Sequence, residues 1–126
     1  MNRSLWLAQA LLALAFLMAG SMKLLTAHEA LAVDMTWVTL VPAAVVKLIG
    51  LLEVLGAIGL ILPSWRRVKP WLTPLAAVGL TLTMIGAAAT HLSIGEANMI
   101  APNLVLGLIA GFIAWGRYQR SPIEAK

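Results

Sequence analysis

The chain has 126 residues, of which 61% are hydrophobic and only 11% are charged. Soluble domains are about half apolar and a quarter charged, so this composition excludes a soluble enzyme and predicts an integral membrane protein. The formal charge of +4 follows a membrane-topology pattern, described below, and does not indicate a nucleic-acid partner. The chain has no cysteine, which excludes disulfides and thiol chemistry within it.

Four apolar segments are long enough to cross a bilayer, which takes about 20 residues. Prolines mark three segment starts, at Pro42, Pro70 and Pro102, because proline is tolerated in the first turn of a helix. We expect Pro63 to follow the end of the second span. The sequence therefore predicts one all-α domain, residues 1–126, folded as a four-helix transmembrane bundle in a lipid bilayer. The predicted spans are 4–25, 41–62, 71–92 and 100–116.

The first span also has features of a secretory signal, with Arg3 before an apolar core and small residues at Ala19-Gly20-Ser21. We interpret it as a retained helix, because the apolar run continues to Leu25 and the charge pattern requires four spans.

Outside the spans, lysine and arginine are confined to one set of connections. They precede span one, join spans two and three, and follow span four, whereas the other two connections contain neither. The positive-inside rule then predicts that both termini are cytoplasmic in the cell's inner (plasma) membrane. The basic positions are Arg3, Arg66, Arg67, Lys69, Arg117, Arg120 and Lys126.

Polar side chains inside the spans are the candidate functional residues: Lys23, Lys47, Glu53, His91 and Asn103. At a rise of 1.5 Å per residue, Glu53 lies roughly 18 Å below the outer start of its span, near the bilayer midplane. An ionisable residue there is costly and marks a function or a specific buried pair.

Helical side chains tilt toward the N-terminus of their helix, so those on spans one and three point inward and those on span two point outward. We therefore expect Glu53 to pair with Lys23 or His91, since Lys47 lies about 120° away on the same helix. The five residues predict a polar pocket in the outer half of the bilayer, above an apolar inner half. Its excess of cations favours an anionic or carbonyl-bearing guest.

Each of these residues also has a structural interpretation. Lys23 suits an interfacial anchor, His91 an interfacial hydrogen bond, Asn103 a helix cap, and Glu53 a buried structural group. The apolar connection 26–40 suggests a short interfacial helix that caps the pocket. A metal site is not predicted, because the outer histidines and carboxylates lack zinc-ligand spacing. Those residues are His28, Glu29, Asp34, His91 and Glu96.

Several segments resemble the DoxX-like family of small four-helix membrane proteins. They are the run 19–24 (AGSMKL), the run 47–56 (KLIGLLEVLG), the run 88–91 (AATH) and Asn103. The resemblance covers nearly the whole chain. It implies a link to thiosulfate oxidation feeding the quinone pool, or to oxidoreductase complexes that answer oxidative stress. Persulfide chemistry is not expected here, because the chain has no cysteine.

Three functions fit these observations, and none identifies a catalytic residue. We favour a small-ligand-binding or redox-associated subunit, with quinone as a candidate ligand and an oxidoreductase as a candidate partner. Lysine, histidine and asparagine supply donors to quinone carbonyls, and Glu53 can move a proton. A non-enzymatic scaffold is the alternative, and a proton-coupled transporter is less favoured, since two lysines beside Glu53 repel cations. Gly107-x-x-x-Gly111 suits a homodimer or packing within one bundle.

Overall fold

The computed structural model describes the backbone of all 126 residues and every side chain except that of Asp34. The long helices are α1 (Asn2–Leu25), α3 (Ala43–Arg66), α4 (Leu72–Ser93) and α5 (Ile100–Trp115), and α2 (His28–Asp34) is short. Two 3₁₀ turns, Thr36–Leu40 and Ala97–Met99, precede α3 and α5, and a π-helical turn, Gly116–Arg120, extends α5. Four helical segments are long and apolar enough to span a membrane, which confirms the predicted all-α, four-span fold.

The long helices form a ring in the order α1, α3, α4, α5. The α1–α3 and α4–α5 interfaces are the most extensive, and the α1–α5 interface is the smallest. Because consecutive spans alternate in direction, both chain termini lie at the same end of the bundle. A hydrogen bond from the Lys126 amide to the Arg67 carbonyl joins the C-terminal residue to the α3–α4 connection at that end. The side of the membrane that this end faces stays a prediction.

The interior has three layers. An apolar middle layer separates a polar layer near the connections 26–42 and 94–99 from a second polar layer near the termini. Following the predicted topology, we name the first the outer polar layer and the second the inner polar layer. The middle layer consists of Leu12, Ala13, Phe16, Ala57, Leu60, Ala77, Leu80, Met84, Ala110 and Ile113.

The crossing of α1 and α3 is made by two glycines. A Cβ on Gly20 would lie 2.6 Å from the Gly50 carbonyl oxygen, and a Cβ on Gly50 would lie 2.8 Å from the Gly20 carbonyl oxygen. No real side chain tolerates these distances, so the backbones approach closely only because both positions are glycine. Lys23 lies one turn beyond the crossing on α1, and Glu53 lies one turn beyond it on α3.

Pro63 lies inside α3, which corrects the prediction that it follows the span. Proline removes the amide that would bond the carbonyl four residues earlier, here that of Gly59. The Thr73 hydroxyl of α4 donates to this Gly59 oxygen at 2.9 Å, and the Ser64 hydroxyl donates to Thr73 at 2.7 Å. A neighbouring helix thus supplies the missing donor, and α3 continues for another turn.

The connection between α1 and α3 contains the predicted short helix, α2. Leu31 of α2 and Val38 of the following 3₁₀ turn form a small apolar cluster with Val46 of α3. This cluster holds the connection against the start of α3.

Of the two glycines in α5, Gly107 packs inside the bundle. A Cβ there would lie 3.3 Å from the Met84 Cβ of α4, whereas nothing lies within 4 Å of one on Gly111. Gly107 therefore serves the α4–α5 contact, and homodimer formation stays a prediction.

Candidate functional site: a cavity at the outer polar layer

A cavity of about 480 Å³ lies beside the outer polar layer, between α1, α3, α4, α5 and the 3₁₀ turn that follows α2. Its volume is within the range of small-molecule pockets. The walls are mainly apolar, as in ligand sites generally, and include Phe16, Ile49, Met84 and Leu106. Trp37 of the connection also lines the cavity, whereas no described side chain of α2, the short helix predicted to cap it, does so.

Lys23 and Glu53 form a buried ion pair at the cavity. The Lys23 Nζ lies 2.7 Å from the Glu53 Oε1, and the two residues are 8% and 3% exposed. Of the two partners predicted for Glu53, Lys23 or His91, the structure has Lys23. At this distance the Lys23 ammonium donates to the carboxylate oxygen, and the Oε1 has no other hydrogen-bond donor. A carboxylate oxygen can accept two hydrogen bonds, so Glu53 keeps an acceptor site for a guest molecule beside its contact with Lys23.

His91 pairs with Glu96 and not with Glu53. The His91 Nδ1 lies 3.0 Å from the Glu96 Oε1, across a turn in which Gly95 has a φ of +82°. Glycine adopts this left-handed conformation without strain, which lets the chain fold Glu96 back toward His91. Both residues line the cavity. Sequence reasoning did not include Glu96 in the pocket, although Gly95 was a signal for the turn.

Asn103 lines the cavity from the first turn of α5. Its Nδ2 is buried and has no hydrogen-bond partner, and no side chain caps this helix. The helix-cap interpretation of Asn103 is therefore wrong. A buried amide without a partner is costly, so this group is a candidate contact for a guest molecule.

Lys47 lies outside the cavity, which corrects the prediction that it belongs to the pocket. Its Nζ is on an exposed face of α3 and donates to the Leu24 carbonyl at 3.1 Å. Leu24 is in the last turn of α1, where carbonyls lack helical partners, so the lysine stabilises that helix end. The cavity therefore combines Lys23 and His91 with Glu53 and Glu96, and the predicted excess of positive charge is wrong.

The inner polar layer was missed from the sequence, and it corrects the expectation of an apolar inner half. The Arg117 Nε donates to the Gln9 Oε1 at 2.6 Å, and the Gln9 Nε2 donates to the Leu60 carbonyl at 2.5 Å. The Arg117 Nη1 donates to the Asn2 Oδ1 at 2.7 Å. These bonds join α1, α3 and the end of α5. The signal for this layer in the sequence was Gln9, a polar residue within an apolar span.

A metal site has little support in the described part of the chain. No group of three histidine or acidic side chains there is close enough to hold an ion. His91 and Glu96 are adjacent, whereas the side chain of Asp34, another residue of that hypothesis, lies outside the described residues.

Comparison with known proteins gives one match. The model of the DoxX-like family matches residues 7–113, which includes Lys23, Glu53, His91 and Asn103. No curated protein and no solved structure matches the chain.

Proposed function

We propose that the chain, which belongs to the DoxX-like family, is a ligand-binding membrane subunit. Its resemblance to that family implies a link to quinone-coupled oxidoreductases. The site is the outer cavity, and the ligand is a small, mainly apolar molecule with a neutral polar head. The observation that carries this proposal is the cavity of about 480 Å³ with the buried Asn103 Nδ2, which lacks a hydrogen-bond partner. A bundle built only as a scaffold would be expected to close around its ion pair.

The charges at the cavity favour a neutral head. Lys23 is neutralised by Glu53, and His91 contacts Glu96. An anionic head would therefore meet no free cation among the described side chains, and it would lie beside two carboxylates. Two buried atoms at the cavity can take a further partner, and they are of opposite kinds: the Asn103 Nδ2 donates, and the Glu53 Oε1 can accept a second hydrogen bond beside its contact with Lys23. A head with one acceptor and one donor satisfies both.

A quinone, and its reduced form in particular, fits this donor and acceptor set. Asn103 and the Lys23 ammonium would donate to ring oxygens, and Glu53 would accept from a ring hydroxyl. The apolar walls, including Phe16 and Met84, would surround the ring. When bound, a quinone supplies two-electron, two-proton redox chemistry. The residues of this chain would bind and orient it, and Glu53 would hold or release a proton at its Oε1.

The redox role would require a partner. The chain's own side chains provide no thiol to carry electrons, as it has no cysteine. We therefore propose an accessory subunit of a quinone-linked oxidoreductase, which delivers electrons, and not a stand-alone enzyme.

Binding of a short-chain benzoquinone to the detergent-solubilised protein tests the ligand. Trp37 lines the cavity, so binding should quench its fluorescence, with the other four tryptophans replaced by Phe. Asn103→Leu should weaken binding about tenfold, because one buried hydrogen bond of about 1 to 1.5 kcal/mol is lost. Lys47→Met is the matched control and should bind normally, since this lysine lies outside the cavity.

Two results would contradict the proposal. One is equal quinone affinity in the Asn103→Leu variant and the unmodified protein. The other is unchanged affinity when Ala87→Phe fills the cavity, which Ala87 lines. Either result, in variants that remain folded, would favour the scaffold function, in which the ion pair only fixes helix register.

A further inference from the structure

A second candidate site lies at the opposite end of the bundle, near the termini. An open groove of about 510 Å³ runs between the start of α1, the end of α3 and the C-terminal segment. It is lined by Asn2 and Trp6 of α1, by Ser64, Trp65 and Arg67, and by the segment 121–124. The outer cavity shares none of these residues.

Arg117 lies directly behind this groove. It is 2% exposed, and its guanidinium contacts Asn2, the Ser121 carbonyl and the ring of Trp6, all three of which line the groove. Its hydrogen-bond acceptors are neutral, and no carboxylate among the described side chains forms an ion pair with it. Its Nη2 is buried without a partner. A buried cation without a counter-charge is costly, so an anion close to it would be stabilised.

Arg67 adds a second cation at the groove. It is exposed, and its Nε donates to the Glu124 carbonyl oxygen at 2.7 Å, which fixes the side chain against the C-terminal segment. Glu124 is the one acidic residue among those that line the groove. With Arg117 behind the wall, the groove therefore has an excess of positive charge.

Two tryptophans indicate the kind of anion. Trp6 and Trp65 line the groove, and indole rings concentrate at the level of lipid headgroups, where one edge is apolar and the other is hydrated. Basic pockets between transmembrane helices at such an end bind anionic lipid headgroups. We propose that this groove binds the phosphate of an anionic phospholipid headgroup, with Arg67 at the rim and the charge of Arg117 behind it.

Native mass spectrometry of the detergent-solubilised protein can test this with dioleoylphosphatidylglycerol, dioleoylphosphatidylcholine and inorganic phosphate as probes. We expect one phosphatidylglycerol to bind more tightly than phosphatidylcholine by about fivefold or more. Arg67→Gln should lower the ratio of the phosphatidylglycerol affinity to the phosphatidylcholine affinity about fivefold. Ser121→Trp should abolish it by filling the groove, although it leaves every charge in place.

Lys69→Gln is the matched control. Lys69 lies in the same turn as Arg67 and has the same left-handed backbone, with φ of +48° against +56°, but it does not line the groove. Its replacement removes the same charge and should change the lipid preference less than twofold. These variants keep Arg117, whose loss would disturb the packing of α1 on α5.

Three results would overturn the proposal. If Arg67→Gln and Lys69→Gln lose the preference for phosphatidylglycerol equally, then the basic surface attracts anionic lipid in general and the groove is not a specific site. Unchanged preference in Ser121→Trp would place the lipid elsewhere. Displacement of phosphatidylglycerol by inorganic phosphate at similar concentration would mean that the groove binds free phosphate and not a lipid.

Discussion

Glu53 is buried near the middle of a membrane-spanning helix, with the Lys23 ammonium 2.7 Å from its Oε1. Removing one partner of such a pair leaves a buried charge without compensation and typically costs about 3 to 5 kcal/mol. We therefore expect Glu53→Ala to lower the free energy of unfolding by about that amount, and Glu53→Gln to lower it less, because the amide can still accept a hydrogen bond from Lys23. Unfolding of the protein in mixed micelles by titration with denaturing detergent measures both.

A double replacement separates the charge effect from packing. Glu53→Leu with Lys23→Met leaves no unpaired charge, so the double variant should be more stable than Glu53→Ala alone. If the double variant is instead the least stable, then the pair contributes through specific contacts that apolar side chains do not replace, and the desolvation argument is wrong.

That Glu53 pairs with a cation from another span was predictable, but the choice of Lys23 over His91 and the positions of Lys47 and Glu96 were not. The direction of helical side chains and the depth of each residue were enough to narrow the partner of Glu53 to Lys23 or His91. Lys47 has a long, flexible side chain, and its choice of the Leu24 carbonyl depends on how far α1 extends. The position of Glu96 depends on the positive φ of Gly95, and the sequence indicates only that a turn occurs there.

At the scale of helices, α3 and α4 are joined by a hydroxyl relay around Pro63. Thr73→Val would leave the Gly59 carbonyl and the Ser64 hydroxyl without their partner, at a cost of about 1 to 3 kcal/mol. Adding Pro63→Ala should restore much of this stability, because the new amide can donate to the Gly59 carbonyl. Unfolding free energies of the two single variants and the double variant measure the coupling.

Thr81→Val is the control for that experiment. The Thr81 hydroxyl donates to the Ala77 carbonyl within its own helix, so its loss should change stability little. An equal loss in Thr81→Val and Thr73→Val would contradict the role given to the relay. So would an absence of rescue by Pro63→Ala.

The α1–α3 crossing gives a second prediction for helices. Gly50→Ala should destabilise the bundle by about 1 to 3 kcal/mol, because the new Cβ would lie 2.8 Å from both the Gly20 oxygen and the Lys23 Cβ. It should also separate Lys23 from Glu53. Gly79→Ala is the matched control, since nothing lies within 4 Å of a Cβ there and alanine favours the helix. Equal stability of the two variants would contradict a close crossing.

For the whole molecule, the distribution of basic residues predicts that both termini are cytoplasmic. Reporter fusions after Lys126 and in the connection around Ser93 should give opposite signals, active on the cytoplasmic side for the first and on the other side for the second. A C-terminal reporter on the non-cytoplasmic side would mean that the bundle has the opposite orientation in the membrane. It would then place the ligand cavity toward the cytoplasm and the lipid groove toward the outside.

The number of spans was predictable from hydropathy, because length and apolar content alone determine which segments can cross a bilayer. The extent of each helix was less predictable. α3 continues past Pro63 to Arg66 because a residue on another helix replaces the lost donor. The inner network of Arg117 and Gln9 was not predictable for a similar reason, since these residues are 108 positions apart in the chain.

The apolar middle layer has an electrical consequence. It is formed by ten buried side chains, none of which carries a polar atom other than the Met84 sulfur, and it separates Glu53 from Gln9 and Arg117. An ion or proton needs water or polar groups along its path, and the side chains of this layer offer it no hydrogen-bonding oxygen or nitrogen. We therefore expect the bundle to conduct ions and protons no better than the surrounding lipid does. Protons gained or lost in the outer cavity should not pass through the bundle to the face that carries the termini.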